Sequence, residues 1–142
     1  MSAVTVPVFK VVRAHDDGRM GSMGVETWEP AHVWYAPGEM ARPAPWALAL
    51  GFGICCFDDW RAALDFWRCE PDTRQVWEAE AEAPLWEPGW RPCLPGDLDE
   101  GYVRTHLVER VAPQGSPYAR FPARTRMTGG LRLVRMIRGH NP

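Results

Sequence analysis

Arginine is the residue type through which this sequence offers most chemistry. Near the C-terminus, Arg124, Arg126, Arg132, Arg135 and Arg138 fall around the run Thr128-Gly129-Gly130. The flanking segments 125–127 and 131–137 read as a hairpin with the glycine pair supplying its turn. Pairing through that turn would set Arg124, Arg126 and Arg132 on one face. Guanidinium forks grip phosphates and carboxylates through paired hydrogen bonds, and a two-stranded ribbon can enter a DNA groove. The pI near 6.1 lies far below that of typical nucleic-acid binders. Solvation or internal pairing of these arginines therefore takes precedence over nucleic-acid contact.

The remaining reactive residues assemble no familiar constellation. His15, His32, His106 and His140 join Cys55, Cys56, Cys69 and Cys93 as potential metal ligands. No two of them stand at the paired spacing of a structural zinc site. Cys55 and Cys56, adjacent on a strand, would point to opposite faces. Gly51-Phe52-Gly53 precedes a strand, whereas a phosphate-cradling loop follows one and opens a helix. No nucleophile-elbow or cysteine-nucleophile signature occurs, and Glu78, Glu80 and Glu82 read as solvated strand charges. The expectation is no catalytic residue, no metal and no cofactor. Among the eight tryptophans, Trp60, Trp67 and Trp77 fall on buried faces. Trp86 and Trp90 sit among prolines and are the indoles placed to bind a partner.

These residues must be carried by elements that the hydrophobic pattern outlines. Val4 to Ala14 reads as a strand, His15 to Gly18 as its turn, and Arg19 to Thr27 as a returning strand weakened by Gly21 and Gly24. A short strand at His32 to Tyr35 precedes an irregular stretch from Met40 to Gly51, and Gly53 to Phe57 forms a buried strand. Trp60, Ala63, Leu64 and Trp67 repeat with helical period behind a capping Asp58 or Asp59, and Pro71 stops the helix. From Arg74 to Ala83 the period becomes two, with Trp77, Ala79 and Ala81 facing one way and Val76, Glu78, Glu80 and Glu82 the other. A proline-rich loop follows from Pro84 to Gly101, then an alternating strand from Tyr102 to Val111. The fold class is α+β, a mostly antiparallel sheet with one principal amphipathic helix packed on it, forming a single domain over 1–142.

Charge and composition narrow the setting. Twelve acids against four arginines between Asp58 and Glu100 give way to eight arginines against one acid between Arg104 and Arg138. The two halves can neutralise each other by packing side by side, or answer a polar partner. No apolar run is long enough to span a membrane, and the first residues lack the pattern of a secretory leader. A cytoplasmic location with reduced, mostly buried thiols follows.

The strand Val8-Phe9-Lys10-Val11-Val12-Arg13, the turn Trp34-Tyr35-x-x-Gly38-Glu39 and the run Gly53-Ile54-Cys55-Cys56-Phe57 feeding a helix resemble small uncharacterised phage and prophage proteins. The strand Gln75-Val76-Trp77-Glu78 extends that likeness, which covers roughly Val8 to Glu80 and implies no known activity. The trio Arg13, Tyr35 and Glu78 also resembles the strand-borne residues of ADP-ribosyltransferase folds, although the Ser-Thr-Ser element of one such class is missing. The leading expectation is a non-catalytic binding domain acting through a protein partner, as a phage-type accessory factor. The second is a nucleic-acid binder using the arginine hairpin, and the third a small transferase-like enzyme that consumes NAD.

Overall fold

The computed structural model describes residues 4–23, 32–87, 90–92, 118–120 and 124–139, with the third and fourth of these segments described by backbone alone. The strand expected at Tyr102 to Val111, together with Cys93, His106 and His140, lies outside the described residues. The architecture is mostly an antiparallel sheet. Its central strands are β1 (Thr5–Ala14), β6 (Arg74–Glu82) and β10 (Leu131–Arg138). β6 lies between the other two, paired with β1 from Thr5↔Glu82 to Arg13↔Arg74 and with β10 from Leu131↔Ala81 onward.

Alternation along these strands divides the sheet into two faces. One carries Val8, Val12, Ala79, Ala81, Leu131 and Leu133, all nearly inaccessible to water, and Ile54 and Cys56 join the same core. Full burial of an aliphatic side chain of this size is worth about 1.5–3 kcal/mol. The other face carries Phe9, Val11 and Val76 at one end, under a helix, and Glu78, Glu80 and Glu82 at the other. Val76 therefore belongs to a buried layer, not to the wet face that strict alternation assigned it. A central strand covered on both sides buries whichever residues the helix reaches.

That helix is α2 (Trp60–Arg68), set against β1 and β6. Asp59 caps it, its Oδ2 accepting from the Ala62 amide at 3.0 Å, which satisfies one of the unpaired donors of the first turn. Ala63 is its buried contact, while Trp60, Phe66 and Trp67 pack half-buried around Phe57, Val11 and Val76. The Trp67 indole N–H donates to the Arg74 carbonyl at 3.0 Å. Trp77, on the opposite face, is also half-buried.

The stretch from Met40 to Gly51 is more regular than its prolines suggested. β4 (Met40–Ala41) pairs with β10, and α1 (Pro45–Ala49) follows. Pro45 opens α1 at the first helical position, where its missing N–H costs nothing. The turn at His15 to Gly18 returns the chain to β2 (Met20–Gly21), where Arg13 faces Gly21, with Gly18 at φ +86°. β2 in turn pairs with β3 (Trp34–Tyr35). The region read as one proline loop contains β7 (Trp90–Pro92), paired with β8 (Tyr118–Arg120).

Strand order fixes the overall curvature. The sequence β3-β2-β1-β6-β10-β4 puts β3 and β4 at opposite ends. In a flat sheet five inter-strand gaps would separate them by about 24 Å. Five steps of extended chain from Tyr35 to Met40 reach about 18 Å at most. The sheet must therefore curl, and Gly38 N–H donates to the Leu133 carbonyl at 2.9 Å as the connection crosses.

The predicted C-terminal hairpin does not form. β9 (Thr125–Thr128) pairs with β5 (Ile54–Phe57), whereas β10 pairs with β6 and β4. Two-residue hairpin turns of the favoured types need positive φ in their glycines, and neither Gly129 nor Gly130 adopts it. Instead the Thr128 hydroxyl, fully buried, bonds the Glu82 carbonyl at 2.8 Å and the Gly130 carbonyl at 3.0 Å. The Glu82 side chain lies close over Gly130, where a Cβ would stand 2.9 Å from Glu82 Cδ.

Candidate functional site

Because β9 and β10 part company, the arginines expected on one face form two groups with different partners. Arg132 donates to Glu80 at 2.6 Å, and Arg135 grips Glu78 through two nitrogens at 2.7 and 3.1 Å. Arg42, from the segment after β4, holds Glu82. The three pairs make a ladder along the outer face of β6. Hydrogen bonds from Arg135 and Arg42 hold the Glu78 and Glu82 carboxyls below the usual glutamate range. Arg124 and Arg126 instead converge on Asp58, at 2.9 and 3.2 Å, ahead of α2. Arg124 adopts φ +66°, a left-handed conformation that is uncommon for a side chain of its size. Its carbonyl accepts from the Asp58 amide, so backbone and side chain hold it together.

Trp86 is half-buried and pinned by hydrogen bonds. Its backbone exchanges both hydrogen bonds with Met127, and its indole N–H donates to the Gly51 carbonyl at 2.9 Å. The ring lies over Gly53, where an added Cβ would come within 2.8 Å of it. Trp90 begins β7 opposite Arg120; its side chain lies outside the described residues.

The trio Arg13, Tyr35 and Glu78 is not brought together. Tyr35 packs into the core with Val8, Val12 and Leu133, and burial pushes its phenol up. Glu78 and Arg13 lie on the opposite face, opposite Phe9 and Arg74 respectively. Near Tyr35 sits Lys10, only 5% exposed, whose Nζ donates to the Cys55 carbonyl at 2.6 Å and stands 5.3 Å from the Tyr35 ring. Cys56 is buried, its thiol pushed up to about 12 by burial. Cys69 is exposed, contrary to the expectation of mostly buried thiols, because it falls at the C-terminal end of α2 beyond the sheet.

The most concentrated group of recognition-type side chains was not foreseen. Where β1, β2 and β3 meet, Trp34 packs edge-to-face against His32 (ring centroids 4.5 Å apart) and at a tilt against His15 (5.1 Å). The Arg19 guanidinium lies 3.9 Å over the same indole and is steered by Asp17 at 2.7 Å. The Arg19 backbone amide and side chain hold the Asp17 carboxyl below its ordinary range. Trp34 is 37% exposed. Gly21 makes the group feasible: a Cβ there would stand 2.6 Å from His32 Nε2 and 3.1 Å from His15 Nε2. No sequence spacing announces the cluster, since residues 15–21 and 32–34 meet only through strand pairing.

Among the described residues no three or more His, Cys, Asp or Glu side chains are grouped to hold a metal ion, and no helix is long and apolar enough to cross a membrane. No protein-family model, no curated protein and no solved structure matches this chain.

Proposed function

We propose that this chain is a small, non-catalytic interaction domain that binds a protein partner in the cytoplasm, as a phage-type accessory factor. The observation that carries this reading is the Trp34–Arg19 stack at the β2–β3 edge. Tryptophan and arginine dominate binding hot spots, because they bury large area and keep a polar rim. Here both are held in place before any partner arrives, by Asp17 on the arginine and the two imidazoles on the indole. Such preorganisation lowers the ordering cost of association. The supporting architecture is read as a sheet with α2 as its principal amphipathic helix.

The nucleic-acid reading draws less support. Arg124, Arg126, Arg132 and Arg135 each have a carboxylate within 4.0 Å, so a phosphate would have to compete with a neighbour already present.

Affinity capture from host lysate, quantified for wild type, Trp34→Ala and Arg19→Ala, tests the proposal. A reproducible protein partner should lose about thirtyfold in affinity with either change, the effect of a 2 kcal/mol hot spot. Absence of any reproducible partner, or a partner indifferent to both substitutions, sinks it. Salt-dependent binding of DNA lost on changing Arg126 and Arg132 would favour the arginine surface instead.

A further inference from the structure

Beneath the Trp34–Arg19 stack, the two imidazoles present ring nitrogens to one place. His32 Nε2 and His15 Nε2 lie 2.6 and 3.1 Å from the point where a Gly21 Cβ would stand. Two atoms that close to one point are no farther apart than the sum of those distances. An ion held about 2.0–2.1 Å from each imidazole nitrogen bridges nitrogens up to about 4.2 Å apart, a separation that lies within that bound. His15 Nε2 is buried and, among the described residues, hydrogen-bonds to no protein group. A buried ring nitrogen in that state calls for a ligand. Trp34 packs on both rings and limits their tilt. Of the cations beside this corner, Arg19 is countered by Asp17 at 2.7 Å, and Arg13 is the cross-strand partner of Gly21.

We propose that His15 and His32 form a two-imidazole site for a borderline divalent transition-metal ion, zinc, nickel or copper(II), with water completing its coordination. Neutral imidazole suits these ions and not magnesium or calcium. With two protein ligands the site is open, and binding is reversible and modest in strength. This inference does not depend on the protein-interaction reading: capture of a partner and binding of an ion are scored separately.

Isothermal titration of the full-length protein with zinc and with nickel tests it. One ion should bind per chain with micromolar affinity, and magnesium should give no heat. His15→Asn and His32→Asn should each weaken zinc binding by at least about tenfold, equivalent to 1.4 kcal/mol, while circular dichroism shows both variants folded. The EPR spectrum of wild type loaded with one equivalent of copper(II) should carry nitrogen couplings from two imidazoles. That spectrum serves as the test if a variant fails to fold. The proposal is overturned if neither zinc nor nickel binds saturably below about 100 μM. It also falls if zinc affinity survives both histidine changes, or if the copper spectrum reports thiolate or oxygen ligands alone.

Discussion

At the scale of single residues, tight places are set by what a glycine faces. Gly53 and Gly130 both stand where a Cβ would intrude, but the obstacles differ. At Gly53 the nearest atom is the Thr128 backbone carbonyl at 2.5 Å, followed by the pinned Trp86 ring at 2.8 Å. Neither can yield without moving a strand. At Gly130 the obstacles are the ends of the Glu82 and Arg42 side chains, which can swing aside. Chemical denaturation should therefore find Gly53→Ala destabilising by about 1–3 kcal/mol, the range for overpacking, and Gly130→Ala by less than about 1 kcal/mol. Equal effects would mean that β5 and β9 are not held as tightly as their pairing implies. Thiol chemistry follows the same local logic. Burial suppresses the Cys56 thiolate, whereas Cys69 sits in water, and only the thiolate is nucleophilic. Iodoacetamide at pH 8, followed by peptide mass mapping, should label Cys69 in the native protein and Cys56 only after unfolding. Native labelling of Cys56 at the Cys69 rate would show the β5 face open to solvent.

At the scale of elements, legibility depended on whether a signal was local. α2 was readable because its period, its capping aspartate and its terminating proline all act within one segment. β6 was readable from alternation alone. The arginine ladder was half-legible: the glutamates were rightly set on one face of β6, but which arginines would meet them depended on the neighbouring strand. Thr128-Gly129-Gly130 carries a genuine hairpin signal, yet β9 finds its partner in β5, some seventy residues earlier, and no local rule encodes that choice. The His15–His32–Trp34 cluster was hidden for the same reason. The ladder has a measurable consequence in its first rung. Arg42 depresses the folded-state pKa of Glu82, so the unfolded chain holds the proton more tightly. The stabilisation is complete above the ordinary glutamate pKa of about 4.3 and is lost as pH falls through the lower folded value. A double-mutant cycle on Arg42 and Glu82 should give a coupling of about 0.2–1 kcal/mol at pH 7 in low salt, shrinking in molar salt and vanishing near pH 2. A coupling that grows on acidification contradicts the assigned sign.

At the scale of the whole molecule, the charge asymmetry of the sequence resolves into packing. Glu78, Glu80 and Asp58 face Arg135, Arg132, Arg124 and Arg126 of the C-terminal third, while Glu82 is held by Arg42. Part of the asymmetry is thus neutralised by ion pairs among the described residues. What joins those two regions is the corner between β9 and β10, and Thr128 is its pivot. Its hydroxyl, with no exposure to water, has the Glu82 and Gly130 carbonyls within reach of its single proton and accepts from the Gly130 amide at 3.3 Å. One side chain thereby ties the end of β6 to the strand that leaves β5 and to the strand that flanks β6. Thr128→Val keeps the shape and removes the hydrogen bonds, leaving buried backbone groups unanswered, a loss of about 1–3 kcal/mol. Because the change acts where the curled sheet closes, urea denaturation should show the midpoint falling with the slope unchanged, the mark of lost stability in one cooperative unit. Thr128→Ser, which keeps the hydroxyl, should recover most of that loss. If valine proves as stable as threonine, the closure is held by apolar packing of Leu131 and Leu133 alone, and the corner is a passive link between strands.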